Sequence, residues 1–409
     1  MPSPKQLLHA FAMALMALLV VFSIIFTHIL VKLFLRDNAL LQKLVFDFTR
    51  KTFIMGLTAM FAIFAPTSFH VTTDASVPAK SFVEDADVPG FVRAFFIDNS
   101  VLIGNHQIYT DWIFLWYLTY IGNVATDIHI LMKDSILKIP VIGWGMGNFR
   151  WIYMSRKWET DKTNMSNRLL EMDANARGWG PAQGVKPVYS PDALIKWPPG
   201  FAKNTQRFPY MFLMYPEGTN ISENTQPRSD AYIAKTGQKP LKHVLMPRVT
   251  GLYHCLRELR KTATVVYDIT AGYSGVKAGQ YPQDVYSLTN VVYDGKNPAV
   301  VSLHIRSYRL EDIPMLTQDH QTAAEEAALL KEFEAWLFKI WYEKDALMDY
   351  YYQHGTFVQE GETITNNVTF PLKLRRAWDI WYVYVVPLTF VIAARAVFQL
   401  GGKVASLFV

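Results

Sequence analysis

The stretch Gly104-Asn105-His106-Gln107-Ile108-Tyr109-Thr110-Asp111-Trp112 carries the residue types for proton transfer, an imidazole and a carboxylate five positions apart. In continuous helix that spacing turns the two side chains about 140° away from each other, at 3.6 residues per turn. They meet if His106 lies in a turn and Asp111 in the first helical turn, with Thr110 as N-cap. Such a pair is a base with its orienter. The imidazole takes a proton near neutral pH, while the carboxylate fixes its tautomer and stabilises the imidazolium. A substrate hydroxyl then suffices as the attacking group, without a serine or cysteine nucleophile. On spacing alone, a histidine and an aspartate merely satisfied at a helix start remains an open alternative.

The elements around the block suit that chemistry. It follows a strand predicted over residues 94–103 and opens an apolar helix predicted over residues 112–120. Further strand candidates lie at residues 128–132, 151–154, 210–215, 244–246, 264–269 and 300–305, with helix between several of them, notably 252–261. This alternation predicts an α/β fold, a mixed and largely parallel sheet flanked by helices. Residues 172–206 break the rhythm with Gly178, Gly180, Pro181, Pro187, Pro191, Pro198, Pro199 and Gly200, and read as a loop insertion. A long helix is predicted over residues 322–352, its apolar positions at helical spacing.

Of 409 residues, 51% are hydrophobic and 18% charged, which excludes a disordered or low-complexity chain and points towards a membrane. A net charge of +5 is too mild for nucleic acid and suits a phospholipid surface or anionic substrates. The single cysteine, Cys255, excludes an internal disulfide framework and a cysteine-based zinc site. No second His/Asp/Glu cluster at ligand spacing accompanies His106, so no metal is implied. The uncharged run 6–31 is long enough for a helix across a hydrocarbon layer of about 30 Å. A second run, 52–73, is broken by Pro66 and could span, re-enter or lie at the interface; a third apolar segment covers residues 380–394. Lys373, Arg375 and Arg376 ask for the cytosolic side, as do Lys32, Arg36, Lys43, Arg50 and Lys51. Both demands hold only if one of the two N-terminal segments fails to cross; the first run is expected to span, and the Pro66-bearing run to re-enter or stay at the interface.

Three more blocks follow the first: Gly147-Asn148-Phe149-Arg150-Trp151-Ile152-Tyr153-Met154-Ser155-Arg156, then Tyr215-Pro216-Glu217-Gly218-Thr219-Asn220, then Val244-Leu245-Met246-Pro247-Arg248. In order and content the four blocks resemble those of the glycerolipid acyltransferases, which acylate glycerol-3-phosphate and lysophospholipids. Ile130-Leu131-Met132-Lys133-Asp134-Ser135 and Tyr342-Glu343-Lys344-Asp345 extend the likeness, which is greatest to the lysophosphatidic acid and lysocardiolipin acyltransferase branch, over about residues 90–360.

The resemblance implies His106 as general base and Asp111 as its partner. A lysophospholipid hydroxyl would attack the thioester of acyl-CoA, a co-substrate; no cofactor is implied. Arg156 matches the arginine that holds the lysophospholipid phosphate, as a guanidinium forks onto phosphate oxygens. Asn105, Lys133, Glu217, Gly218 and Thr219 are assigned with it to substrate binding, and Pro247 and Arg248 to acyl-CoA. Glu217 would repel a phosphate, so it reads as an orienting group, while the turn at Gly218 can present backbone N–H groups to an anion. Asn220 stands where many family members carry arginine. The implied organisation is N-terminal membrane helices over 1–73, an acyltransferase domain over 74–320, a helical extension over 321–377 and a C-terminal membrane segment over 378–409. The implied setting is a phospholipid membrane, that of the endoplasmic reticulum, with the catalytic domain facing the cytosol; no protein partner is indicated. A CoA-independent transacylase and a non-catalytic lipid-binding protein of the same fold are the alternatives. Gly272-Tyr273-Ser274-Gly275 lacks the glycine spacing of a hydrolase nucleophile elbow.

Overall fold

The computed structural model describes residues 2–155, 157–191, 193–315 and 322–405. Two helices, α1 (Pro4–Phe34) and α2 (Ala39–Phe64), lead into strand β1 (Ser68–Thr73) and a small hairpin, β2 (Phe82–Glu84) with β3 (Val92–Ala94). The central run is β4 (Ser100–Gly104), α3 (Asp111–Ile121), β5 (Ile128–Lys133), α4 (Ile142–Asn148), β6 (Ile152–Met154) and α5 (Trp158–Arg177). A second hairpin, β7 (Val188–Tyr189) with β8 (Ile195–Lys196), precedes β9 (Met211–Met214), α6 (Gln226–Thr236), α7 (Val249–Leu259) and β10 (Val265–Tyr273). The chain closes with α8 (Pro282–Val285), α9 (Leu288–Asp294), β11 (Val300–Arg309), α10 (Ala323–His354), β12 (Asn366–Pro371) and α11 (Val385–Ala405).

Eight strands form one sheet in the order β12-β1-β11-β10-β4-β9-β5-β6. Among the described residues of this sheet only the β10–β11 and β1–β12 pairs are antiparallel, as the alternation predicted for a largely parallel sheet. Strands β4, β9 and β10 are buried along their whole length, so they read as continuous apolar runs rather than alternating ones. One face carries a core around Phe61, Phe69, Phe114 and Trp116; the other carries Phe212, Leu252, Phe333 and Trp341.

The sheet reaches beyond residues 74–320. Phe69 and Val71 of β1 are fully buried in it, and β12 pairs β1 from Ser68↔Pro371 to Thr73↔Asn366. The second apolar run is therefore divided: its first part ends α2, and after Pro66 the chain enters the sheet as β1. The strand expected at 94–103 is two strands, interrupted by a turn in which Asn99 takes a left-handed backbone, φ +55°. No strand forms at 244–246. The backbone there is held by side chains instead of a ladder: Lys242 and His243 N–H groups donate to Asp345, and Met246 N–H donates to Ser229 Oγ at 2.9 Å. The insertion starts later than expected, because α5 continues to Arg177 before the left-handed Gly178, φ +85°, ends it.

Among the described residues, two helical stretches are long and apolar enough to cross a membrane, Pro4–Phe34 and Ala377–Val397. Helix α1 does not project from the body but runs along it. Near its start, Gln6 donates to Asp294 at 2.6 Å and the His9 ring bridges Val292 O and Phe64 O. Near its end, Ile25 packs on Gly145, and His28 meets Thr49 at 2.8 Å. Met13, Val20, Ile24 and Val31 form the inward stripe; Leu8, Phe11, Leu15, Leu18 and Phe22 face out. The cations before the last helix are docked as well. Arg375 pairs with Asp85 at 2.9 Å, and Lys373 Nζ donates to Pro89 O at 2.9 Å.

Candidate active site

Strand β4 ends at Gly104 and α3 begins at Asp111; the turn between them holds His106. Asp111 closes it. Its Oδ2 accepts from His106 Nδ1 at 2.8 Å, from Gln107 N–H at 2.6 Å and from Ile108 N–H at 3.1 Å, while Oδ1 accepts from the Tyr273 hydroxyl. Four donors thus converge on one carboxylate, which an ionised group can accept in full. Thr110 occupies the N-cap position, but its side chain caps nothing; Asp111 organises the turn instead. Asp111 is 2% exposed, whereas the His106 side chain is 21% exposed. The imidazole stacks on Tyr215, centroids 4.5 Å apart at 21°. With one face and Nδ1 held, Nε2 is the nitrogen left for a substrate. Burial, reinforced by the negative charge of Asp111, pushes the Tyr273 phenol well above its usual range, so it stays a donor.

Strand β9 delivers the third block beside the first. Gly218 has φ +73°, and a Cβ there would lie 3.0 Å from Arg248 Nε, so the turn needs glycine for conformation and for space. Arg248 N–H donates to Pro216 O at 2.8 Å, tying the fourth block to the third. Glu217 is 3% exposed and its Oε2 accepts from His106 N–H at 3.3 Å. Burial pushes the Glu217 carboxyl well above its usual range, against the pull of that N–H and of Lys344. Glu217, Thr219, Pro247 and Arg248 line one cavity of about 780 Å³, with Arg228 and Lys331 adding cations and Leu245, Met246 and Val249 an apolar wall.

Arg156 lies outside the described residues, but its neighbours are firmly placed. Asp161 accepts from Ser155 N–H at 2.9 Å, Ser155 Oγ at 2.8 Å and Lys157 N–H at 3.0 Å. Asn105 is turned inward: its Nδ2 donates to Ala271 O at 3.0 Å and its Oδ1 accepts from Ala271 N–H at 2.8 Å. It locks the end of β4 to β10 and so fixes where His106 starts. Lys133 sits on the exposed end of β5, in register with Met154, which lines the cavity.

Asp161, Tyr273 and a buried ion network were not singled out from sequence. In that network Lys344, fully buried on α10, pairs with Asp268 at 2.7 Å and donates to Ile269 O and Thr270 Oγ1; Arg306 pairs with Asp268 at 2.8 Å. Together they brace the end of β10 that receives Asn105. Tyr273 stood in the glycine-flanked segment weighed as a nucleophile elbow, and its contact with Asp111, 162 positions away, leaves no mark in the sequence.

An ordered imidazole–carboxylate pair at the carboxyl end of a parallel strand, beside a cavity of mixed charge, matches the position at which open α/β sheets bind ligands. The family described as Acyltransferase matches residues 93–274, which contain all four blocks. The chain belongs to the acyltransferase family. A second match, described as Acyltransferase C-terminus, covers residues 293–378 and includes α10 with Trp341 and Lys344. The 2-acyl-1-lysophosphatidylinositol acyltransferase of Saccharomyces cerevisiae is 39% identical over 353 residues, 86% of this chain and 85% of its own length. The probable 1-acyl-sn-glycerol-3-phosphate acyltransferase 5 of Arabidopsis thaliana is 30% identical over 64% of this chain and 56% of its own. Lysocardiolipin acyltransferase 1 of Gallus gallus is 28% identical over 68% and 59% respectively. The lysophospholipid acyltransferase likeness read from the four blocks therefore holds at the level of family.

Proposed function

We propose that this protein transfers a fatty acyl chain from acyl-CoA to a free hydroxyl of a lysophospholipid, with lysophosphatidylinositol the first acceptor to test. The observation that carries the reading is the 2.8 Å contact between His106 Nδ1 and Asp111, with the opposite ring nitrogen left for a substrate. The choice of acceptor draws on the name of the yeast relative, which shares most of its length with this chain.

In this mechanism His106 Nε2 removes the hydroxyl proton as the lipid oxygen attacks the thioester carbonyl. The tetrahedral oxyanion collapses, the carbon–sulfur bond breaks, and the CoA thiolate leaves with the proton returned by the imidazolium. Asp111 stabilises the imidazolium while it exists. Arg228, Arg248 and Lys331 give the cavity the cations that CoA phosphates require, and Leu245, Met246 and Val249 give an apolar surface for the chain.

A membrane setting follows from substrates that live in a bilayer. The outward apolar stripe of α1, with Trp378, Trp381 and the exposed apolar residues of α11, is the surface that would enter lipid. Because α1 touches the body near both its ends, it would lie within one leaflet and bring the active site to the water interface. This reading keeps the endoplasmic reticulum and its cytosolic face, where soluble acyl-CoA is available. The test is purified protein with radiolabelled acyl-CoA and a panel of lysophospholipids. Acylated phospholipid formed by the wild type and lost in His106→Ala supports the reading; no product with any acceptor, or product without acyl-CoA, refutes it.

A further inference from the structure

A second cavity, of about 630 Å³, lies between β6, α5 and the hairpin of the insertion. One wall is a polar stripe on α5, Thr160, Asn164, Asn167, Arg168 and Glu171, at the spacing that puts side chains on one helical face. The opposite wall comes from the insertion, with Tyr189, Ile195 and Trp197. Asn167 holds that wall in place: its Nδ2 donates to Ala193 O at 3.2 Å and its Oδ1 accepts from Ile195 N–H at 2.8 Å. The insertion is thus a built side of a cavity rather than a loose excursion.

The chemistry of the lining is specific. Asp161 is committed to the backbone of Ser155 and Lys157, and Glu171 is shared between Arg150 and Arg168. One carboxylate thus serves two guanidinium groups. The cavity, which Asp134 also lines, offers cationic groups suited to a phosphodiester together with neutral hydrogen-bonding groups, Thr160 and Asn164, beside Trp197 and Tyr189. The Trp197 indole N–H is buried without a partner among the described residues. A buried donor of that kind calls for an acceptor. Neutral donors and acceptors beside aromatic faces fit a polyhydroxylated ring, whose hydroxyls both give and take hydrogen bonds and whose C–H faces pack on aromatic carbon. The volume lies in the range that holds small ligands.

Asp161 also lines the cavity that contains Glu217 and Arg248, so the two cavities meet at the first turn of α5. We propose that the second cavity is the headgroup subsite of the lipid acceptor and that it selects a neutral cyclic polyol such as inositol. This deepens the acyltransferase reading and rests on it for the identity of the ligand. The two can still fail separately.

The test uses the full-length protein in detergent, with Asn164→Leu and Trp197→Ala as variants. Asn164 is exposed on a helix surface, so its substitution leaves the fold intact. Calorimetric titration with glycerophosphoinositol and with glycerol 3-phosphate should show wild-type preference for the former of about tenfold or more, cut about tenfold by either variant. In turnover, the kcat/KM ratio of lysophosphatidylinositol to lysophosphatidic acid should fall in parallel. Equal binding of the two probes, binding of neither, or a preference untouched by both variants overturns the subsite. Selective binding that the variants abolish, in a protein that transfers no acyl chain, would refute the activity and leave the subsite standing.

Discussion

Replacing Asp111 with asparagine separates the charge of the candidate dyad from its geometry. The remaining carbonyl oxygen can keep the three donors now on Oδ2, those of His106, Gln107 and Ile108. The new amide nitrogen then faces the Tyr273 hydroxyl, which rotates to accept. His106 keeps its Nδ1–H tautomer and orientation, and only the negative charge beside the imidazolium is lost. Two unit charges about 4 Å apart interact by about 4 kcal/mol at an effective dielectric near 20. The loss should therefore be about 3–4 kcal/mol of barrier, or two to three orders of magnitude in kcat. The KM for acyl-CoA should hold within a few-fold, since Asp111 does not line the cavity proposed for CoA. Steady-state kinetics with saturating lysophospholipid reads both constants. A kcat within tenfold of wild type would refute the claim that Asp111 works through imidazolium stabilisation.

Other residues give independent checks. Folded Glu217, pushed well above its usual 4.5, retains a proton that the unfolded chain releases, so wild-type stability falls as pH rises past that value, by at most about 1.4 kcal/mol per pH unit. Glu217→Gln removes this dependence, and its thermal midpoint relative to wild type should be higher at pH 8 than at pH 5. Gly218→Ala should cost about 1–2 kcal/mol, from a left-handed backbone and a Cβ crowding Arg248, read from the denaturation midpoint. Lys344→Met leaves Asp268 buried with only Arg306 and should destabilise by about 3–5 kcal/mol; an unchanged midpoint would show that the network does not brace β10.

How much of this is legible in the sequence follows from the range of each interaction. The His106–Asp111 pair was readable because it is closed within five residues by a strand end and a helix start. The largely parallel sheet was readable because continuous apolar runs alternate with helical ones. β1 was hidden because it is short and follows directly on an apolar helix, and Pro66 marks a break in the run without showing that a sheet strand follows. β12 is an edge strand whose apolar alternation is confined to Val368 and Phe370, too short to stand out among Asn and Thr. The 244–246 segment has strand composition but no strand to pair with; Met246 N–H bonds Ser229, and the residues just before it bond Asp345, both acceptors lying on helices. Tyr273, Asp161 and Lys344 act through tertiary contacts, so no spacing rule could mark them. The inward turn of Asn105 likewise depends on β10 lying beside β4.

The most direct measurement of the central claim is single-turnover acyl transfer by the purified full-length protein, wild type against His106→Ala, with labelled acyl-CoA and lysophosphatidylinositol. A positioned general base contributes about 10²–10⁴-fold, so the account predicts a loss of that size with substrate binding preserved. Acyl transfer by His106→Ala at the wild-type rate would contradict it.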